Sequence, residues 1–130
     1  MRVSLMMVLG LLAGPVMAQN LEEGAAAFEA HCAGCHGLEA RGDGPMAALL
    51  RVQPADLTAL SAGNGGVFPL ARVIRRVDGT ADMLAHGGPM PVFGVLLQGP
   101  SVAVLAPDGG EVVAAEAIAN IAAWLEGLQE

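Results

Sequence analysis

Cys32-Ala33-Gly34-Cys35-His36 constrains this chain more than any other stretch, and it holds both of the chain's cysteines. Two thiols at this spacing can add across the two vinyl groups of a haem, and the histidine that follows then sits beneath the iron. Rival chemistries fit less well. A disulfide across two residues closes a very small loop and so constrains the unfolded chain little. A thioredoxin-type dithiol needs no histidine there and expects a βαβ setting that the pattern lacks. A structural zinc needs a second ligand pair, and His31 and His86 fall at no familiar zinc spacing. The spacing therefore predicts one covalent haem c, held at Cys32 and Cys35, with His36 as the proximal ligand.

A sixth ligand must come from far along the chain to reach the opposite haem face. Gly88-Pro89-Met90-Pro91-Val92-Phe93-Gly94 suits that role. The flanking prolines stiffen the loop, so Met90 can be presented without helical hydrogen bonds. Its neutral thioether favours ferrous iron and raises the potential. Met46 and Met83 lie in apolar, helix-like surroundings and read as packing. His86 is an alternative ligand that would give a low-potential bis-histidine centre, and it reads equally well as a loop histidine. His31 points off the attachment side of a regular helix. A ligating imidazole donates its other ring proton to a carbonyl, and Pro45 or Pro54 is the expected acceptor. Haem propionates need donors, for which Arg51 and Arg72 are the first candidates and Arg75 the next.

The chain has 130 residues, enough for one domain. Residues 1–18 read as a secretory signal. Arg2 supplies a positive start, Val3 to Leu12 an apolar run, and Ala13 to Ala18 a breaker and small residues before cleavage. The run is too short to span a bilayer comfortably. Residues 19–130 then form the domain, in the periplasm, without stable membrane insertion. Cleavage would remove Arg2 and none of the thirteen acids, taking the formal charge from −7 to −8. An acidic chain without lysine argues against nucleic acid and anionic headgroups. It favours a redox partner with a basic site.

Asn20 can cap a first helix, with Glu23 completing a near capping box. Leu21, Gly24, Ala25, Phe28 and Cys32 recur at helical spacing, so this helix is expected to run into the Cys-x-x-Cys-His segment. Met46 to Val52 is a candidate short helix, and Gly63-Asn64-Gly65-Gly66 a sharp break. Leu70 to Val77 reads as a helix with Arg72, Arg75 and Arg76 on its wetter side. Leu96 to Asp108 is apolar but broken by Gly99-Pro100 and Pro107, which suits a short hairpin or a surface flap. From about Val112 the pattern is helical again, with Ala117, Ile118, Ile121, Trp124, Leu125 and Leu128 on one face.

These residues resemble the class I c-type cytochromes, small soluble bacterial members in particular. The likeness rests on Gly24 to Phe28 leading into Cys32 to Gly37, on Met90-Pro91-Val92-Phe93-Gly94, and on Ile118 to Leu125. It implies an all-α cytochrome c fold, with the first and last helices crossing at right angles. Gly24 would permit their close approach, and Phe28 would meet Trp124. It also implies thioethers at Cys32 and Cys35 and axial ligation by His36 and Met90. The expected function is that of a monomeric, non-enzymatic one-electron carrier serving redox partners. The alternatives are a haem-bearing subunit or docking module of a larger complex, or a haem sensor or enzyme with a displaceable sixth ligand. Two departures stand out. The lysine ring of mitochondrial relatives is absent, and residues 95–112 look longer than the usual link to the final helix.

Overall fold

The computed structural model describes residues 19–81, 89–107 and 109–130. The expected signal at 1–18, Met83 and His86 lie outside the described residues. Helices dominate. In chain order they are α1 (Leu21–His31), α2 (Ala33–His36), α3 (Leu70–Asp78) and α4 (Glu116–Glu126), with 3-10 turns at Ala47–Leu49, Leu57–Ala59 and Ala62–Asn64. Between α3 and α4 lies an antiparallel hairpin of β1 (Ser101–Leu105) and β2 (Glu111–Ala115). Among the described residues no helix is long and apolar enough to cross a membrane.

The α1–α4 pair is the centre of the molecule. Gly24 and Phe28 are the buried residues of α1, and α4 answers with Ile118, Ala119, Ile121, Ala122 and Leu125. A Cβ on Gly24 would lie 2.6 Å from the carbonyl carbon of Asn120 and overlap its oxygen. Glycine is what lets the two backbones touch. One turn on, the Phe28 and Trp124 rings meet with centroids 4.7 Å apart and planes tilted by 42°, a favoured aromatic geometry. Both contacts agree with the family resemblance.

The start of α1 differs from the expected capping box in one respect. Asn20 does cap, its side chain accepting the amides of Glu22 and Glu23. The reciprocal half comes from the opposite helix: the Asn20 N–H donates to Asn120 Oδ1 at 2.9 Å, and Asn120 Nδ2 donates to Glu23 Oε2 at 3.3 Å. Buried Asn120 thus joins both helices, which only tertiary contact could reveal.

Three other expectations need correction. The first helix does not run unbroken through the cysteines. It ends at Cys32 (φ −117°, ψ −34°), and α2 restarts as a single turn. Met46 to Val52 yields only the turn Ala47–Leu49. The final helix begins at Glu116 rather than near Val112, because Val112 to Ala115 pair with Val104 to Ser101 across the hairpin. Val104 and Ala114 face the core while Leu105 and Val113 point outward. That alternation at period two outcompetes a weak helical signal among β-branched residues. The fold is therefore helical with a small two-stranded addition, not purely α.

Candidate haem-attachment site

Cys32, Cys35 and His36 are brought together by the short α2 turn. Cys32 N–H donates to Phe28 O at 2.8 Å and His36 N–H to Cys32 O at 2.9 Å, so the turn hangs directly from the end of α1. Gly37, at φ 81°, stops it. A helix end leaves its last carbonyls without partners. Here the returning loop supplies them: Met46 N–H bonds Gly34 O at 2.9 Å, Gly44 N–H bonds Cys35 O at 3.1 Å, and Gly42 N–H bonds His36 O at 2.7 Å. The loop can come that close because Gly44 has no side chain. A Cβ there would lie 2.6 Å from Gly34 O and 2.7 Å from the Cys35 carbonyl carbon.

His36 is buried, and its Nδ1 lies 3.0 Å from the carbonyl oxygen of Ala55. A carbonyl can only accept, so Nδ1 carries a proton, and in the neutral ring Nε2 keeps the lone pair. The acceptor is Ala55, not Pro45 or Pro54. The reason is local packing. Gly42 presses on the Pro54–Ala55 backbone, with a would-be Cβ 3.1 Å from Ala55 O, while Gln53 Nε2 donates to Gly42 O at 2.7 Å. Just beyond, Asp56 caps the turn Leu57–Ala59 by accepting from Thr58 N–H at 2.9 Å and Thr58 Oγ1 at 2.6 Å. Leu57 N–H reaches Ala40 O at 2.7 Å. Ala40 is fully buried and left-handed, at φ 60°. These contacts aim the Ala55 carbonyl.

Asp56 links this support to pH. The hydrogen bonds from Thr58, with a lesser contribution from Arg41, hold its carboxyl below the usual aspartate range. A carboxyl whose folded pKa is lowered adds stability above its unfolded pKa and loses it as pH falls through the folded value. Asp56→Ala is therefore expected to lower the melting temperature at about pH 7, with a narrower gap to the parent at about pH 2. Thermal melts at both pH values check this. A gap equally wide in acid would contradict it.

Cys32 is buried and Cys35 half-buried, and both are free thiols. Burial, then the neighbouring Cys35, push the Cys32 thiol up to about 11. Met90 is half-buried and packs against the core. Its segment is anchored on the end of α3: Phe93 N–H donates to Val77 O at 2.8 Å, and a Cβ on Gly94 would meet the Asp78 backbone. Exposed His31 stands 6.4 Å from the Phe93 ring, centroid to centroid. Met46 is exposed rather than packed inside. Exposed Arg51 lies in a bend, while Arg72 and Arg75 line a shallow depression beside the turn at 62–64. Among the described residues the arginine with side-chain partners is Arg41, bound to Glu130 and near Glu39.

The donor set fits a haem. Two thiols are fixed by one helical turn, the imidazole has one ring nitrogen pinned and the other free, and a half-buried thioether is held by a separate segment. Sequence reasoning missed Ala55, Gln53 and Asn120. Gln53 and Ala55 lie beside residues already singled out, but nothing in their types signals a role.

The cytochrome c family model matches residues 21–129. No curated protein matches the chain. No solved structure matches it either. The family match spans α1 through α4, including the Cys-x-x-Cys-His turn and the Met90 segment. The chain belongs to the cytochrome c family, whose members bind haem and transfer electrons.

Proposed function

We propose that this protein is an exported, single-haem, one-electron carrier. Cys32 and Cys35 would hold one haem c through thioethers, and His36 Nε2 and Met90 Sδ would be the protein's two donors to its iron. The observation that carries the reading is the His36–Ala55 hydrogen bond within the Cys-x-x-Cys-His turn. It fixes the imidazole tautomer and makes the free nitrogen the better ligand.

When bound, haem supplies a reversible Fe(III)/Fe(II) couple. Met90 offers a neutral, soft donor that favours the reduced state. Arg51 is the proposed propionate donor. Arg72, the other candidate, shares its depression with Arg75 and has a different use argued below. The α1–α4 contact is proposed to be the family's right-angle crossing. With His36 and Met90 both given to the iron, no position would be left for a substrate, so the proposed role is that of a carrier rather than an enzyme. Residues 1–18 are the proposed signal, delivering residues 19–130 to the periplasm as a monomer. The partners are redox proteins.

Exposed Val95, Leu96, Leu105 and Val113 favour a second reading, a haem-bearing subunit of a larger complex. Purification as a free monomer would count against it.

The test is spectroscopic. Matured in a host with haem-attachment machinery, the protein should keep its haem through acid-acetone extraction. Its oxidised form should carry the weak near-infrared band of methionine–iron ligation. The double variant Cys32→Ser with Cys35→Ser should release all colour into the solvent. Extractable haem in the parent would refute covalent attachment, and a missing methionine band would refute Met90 ligation.

A further inference from the structure

The cations of this acidic chain are segregated. Thirteen acids stand against six arginines and no lysine, yet Arg72, Arg75 and Arg76 share the nine-residue helix α3. Leu70, Val73, Ile74 and Val77 bury the inner side of that helix. Arg72 and Arg75, three residues apart, lie together on its outer face. Both line a depression whose other walls include Asn64, Val67, Phe68 and Ala106. Among the described residues neither makes an ion pair or a side-chain hydrogen bond, in contrast to Arg41 with Glu130. Asn64 is already committed, its Nδ2 donating to Val67 O at 2.8 Å. Of the apolar side chains beside them, Phe68 and Ala106 are buried and Val67 is 43% exposed.

Two adjacent guanidinium groups repel each other modestly. In a chain with acids to spare, neither is neutralised from within. Guanidinium forks accept carboxylates in bidentate fashion. We propose that this depression docks an acidic segment of a partner protein. Arg72 and Arg75 receive a carboxylate of the partner, and an apolar neighbour of that carboxylate rests on exposed Val67.

Charge complementarity selects the occupant. It also restricts where the occupant can bind, because the acidic remainder of the surface repels it. The molecule then presents opposite preferences on different faces, and two partners can be told apart by the sign of their charge. The inference does not depend on haem attachment.

The experiment is an isothermal titration of the full-length, matured protein with an acetylated peptide alternating glutamate and leucine. Saturable binding that weakens as salt rises is expected. The Arg72→Gln, Arg75→Gln double variant should weaken it about a hundredfold, roughly tenfold for each charge-assisted contact. Both side chains are exposed, so the fold should survive, as circular dichroism can verify. A peptide alternating lysine and leucine should not bind at this site. Four outcomes would overturn the proposal. They are absence of saturable binding, binding that survives the double variant, glutarate binding as tightly as the peptide, and a variant that shifts the haem midpoint potential but leaves peptide affinity unchanged. The third would mark a small-anion site, and the fourth a propionate contact.

Discussion

Gly24→Ala is expected to destabilise the protein, although alanine is the better helix former by about 1 kcal/mol. Gly24 is buried within α1 with ordinary helical neighbours on both sides. Propensity alone would make the substitution stabilising. The added methyl, however, would overlap the Asn120 carbonyl, whose carbon lies 2.6 Å from its position. The obstacle is backbone in the middle of α4, so no side chain can swing aside. The helices must separate, which loosens the Phe28–Trp124 contact and strains the Asn20–Asn120 bond. Overpacking of this kind costs about 1–3 kcal/mol, and more where the neighbour is rigid. The net loss should reach about 2 kcal/mol, or roughly 10 °C in melting temperature for a domain near 100 residues. Gly24→Val should be worse. Ala26→Gly, on the exposed side of the same helix, isolates the propensity effect and should cost about 1 kcal/mol. A Gly24→Ala variant that melts higher than the parent would refute the close-approach argument.

Gly44→Val should be at least as damaging, and in a place that matters for function. The would-be Cβ lies 2.6 Å from Gly34 O and 2.7 Å from the Cys35 carbonyl carbon, again backbone atoms. Making room breaks the Gly44–Cys35 hydrogen bond and pulls on its neighbours from Met46 and Gly42. Three carbonyls at the end of α2 would then lose partners in a partly buried place, each at about 1 kcal/mol or more. The expected result is a loss of about 3 kcal/mol in stability together with a clear fall in the yield of haem-loaded protein. Parent and variant expressed side by side, with pyridine haemochrome per milligram and urea melts as readouts, decide it. An unchanged haem yield would mean that the loop does not hold the attachment turn in shape.

What could be read from the sequence, and what could not, divides along physical lines. α1, α3 and α4 announce themselves through apolar residues at helical spacing. Gly24, Phe28 and Trp124 carried their meeting through resemblance to a family. Cys32, Cys35 and His36 share one short segment, so their proximity needed no tertiary information. The break at Cys32 was hidden, because nothing in that residue type forbids a continuing helix. The β2 strand was hidden too. Val112 and Val113 suit a strand, but the alanines and glutamate after them suit a helix, and the choice falls to pairing with β1. The Ala55 acceptor depends on Gly42 packing thirteen residues away in the chain. Asn120 acts on Asn20 across a separation of 100 residues. Ala40 adopts φ 60° without being glycine or asparagine, a conformation imposed by the loop around it. Each of these is set by long-range contact, where local propensity has no vote.

The Phe28–Trp124 contact has a practical consequence. Trp124 is the sole tryptophan of a chain without tyrosine. Intrinsic ultraviolet fluorescence therefore comes from a single fluorophore, placed where the two end helices meet. In the haem-free chain its emission wavelength gauges that one seam, and stopped-flow mixing can follow the seam opening without any added dye.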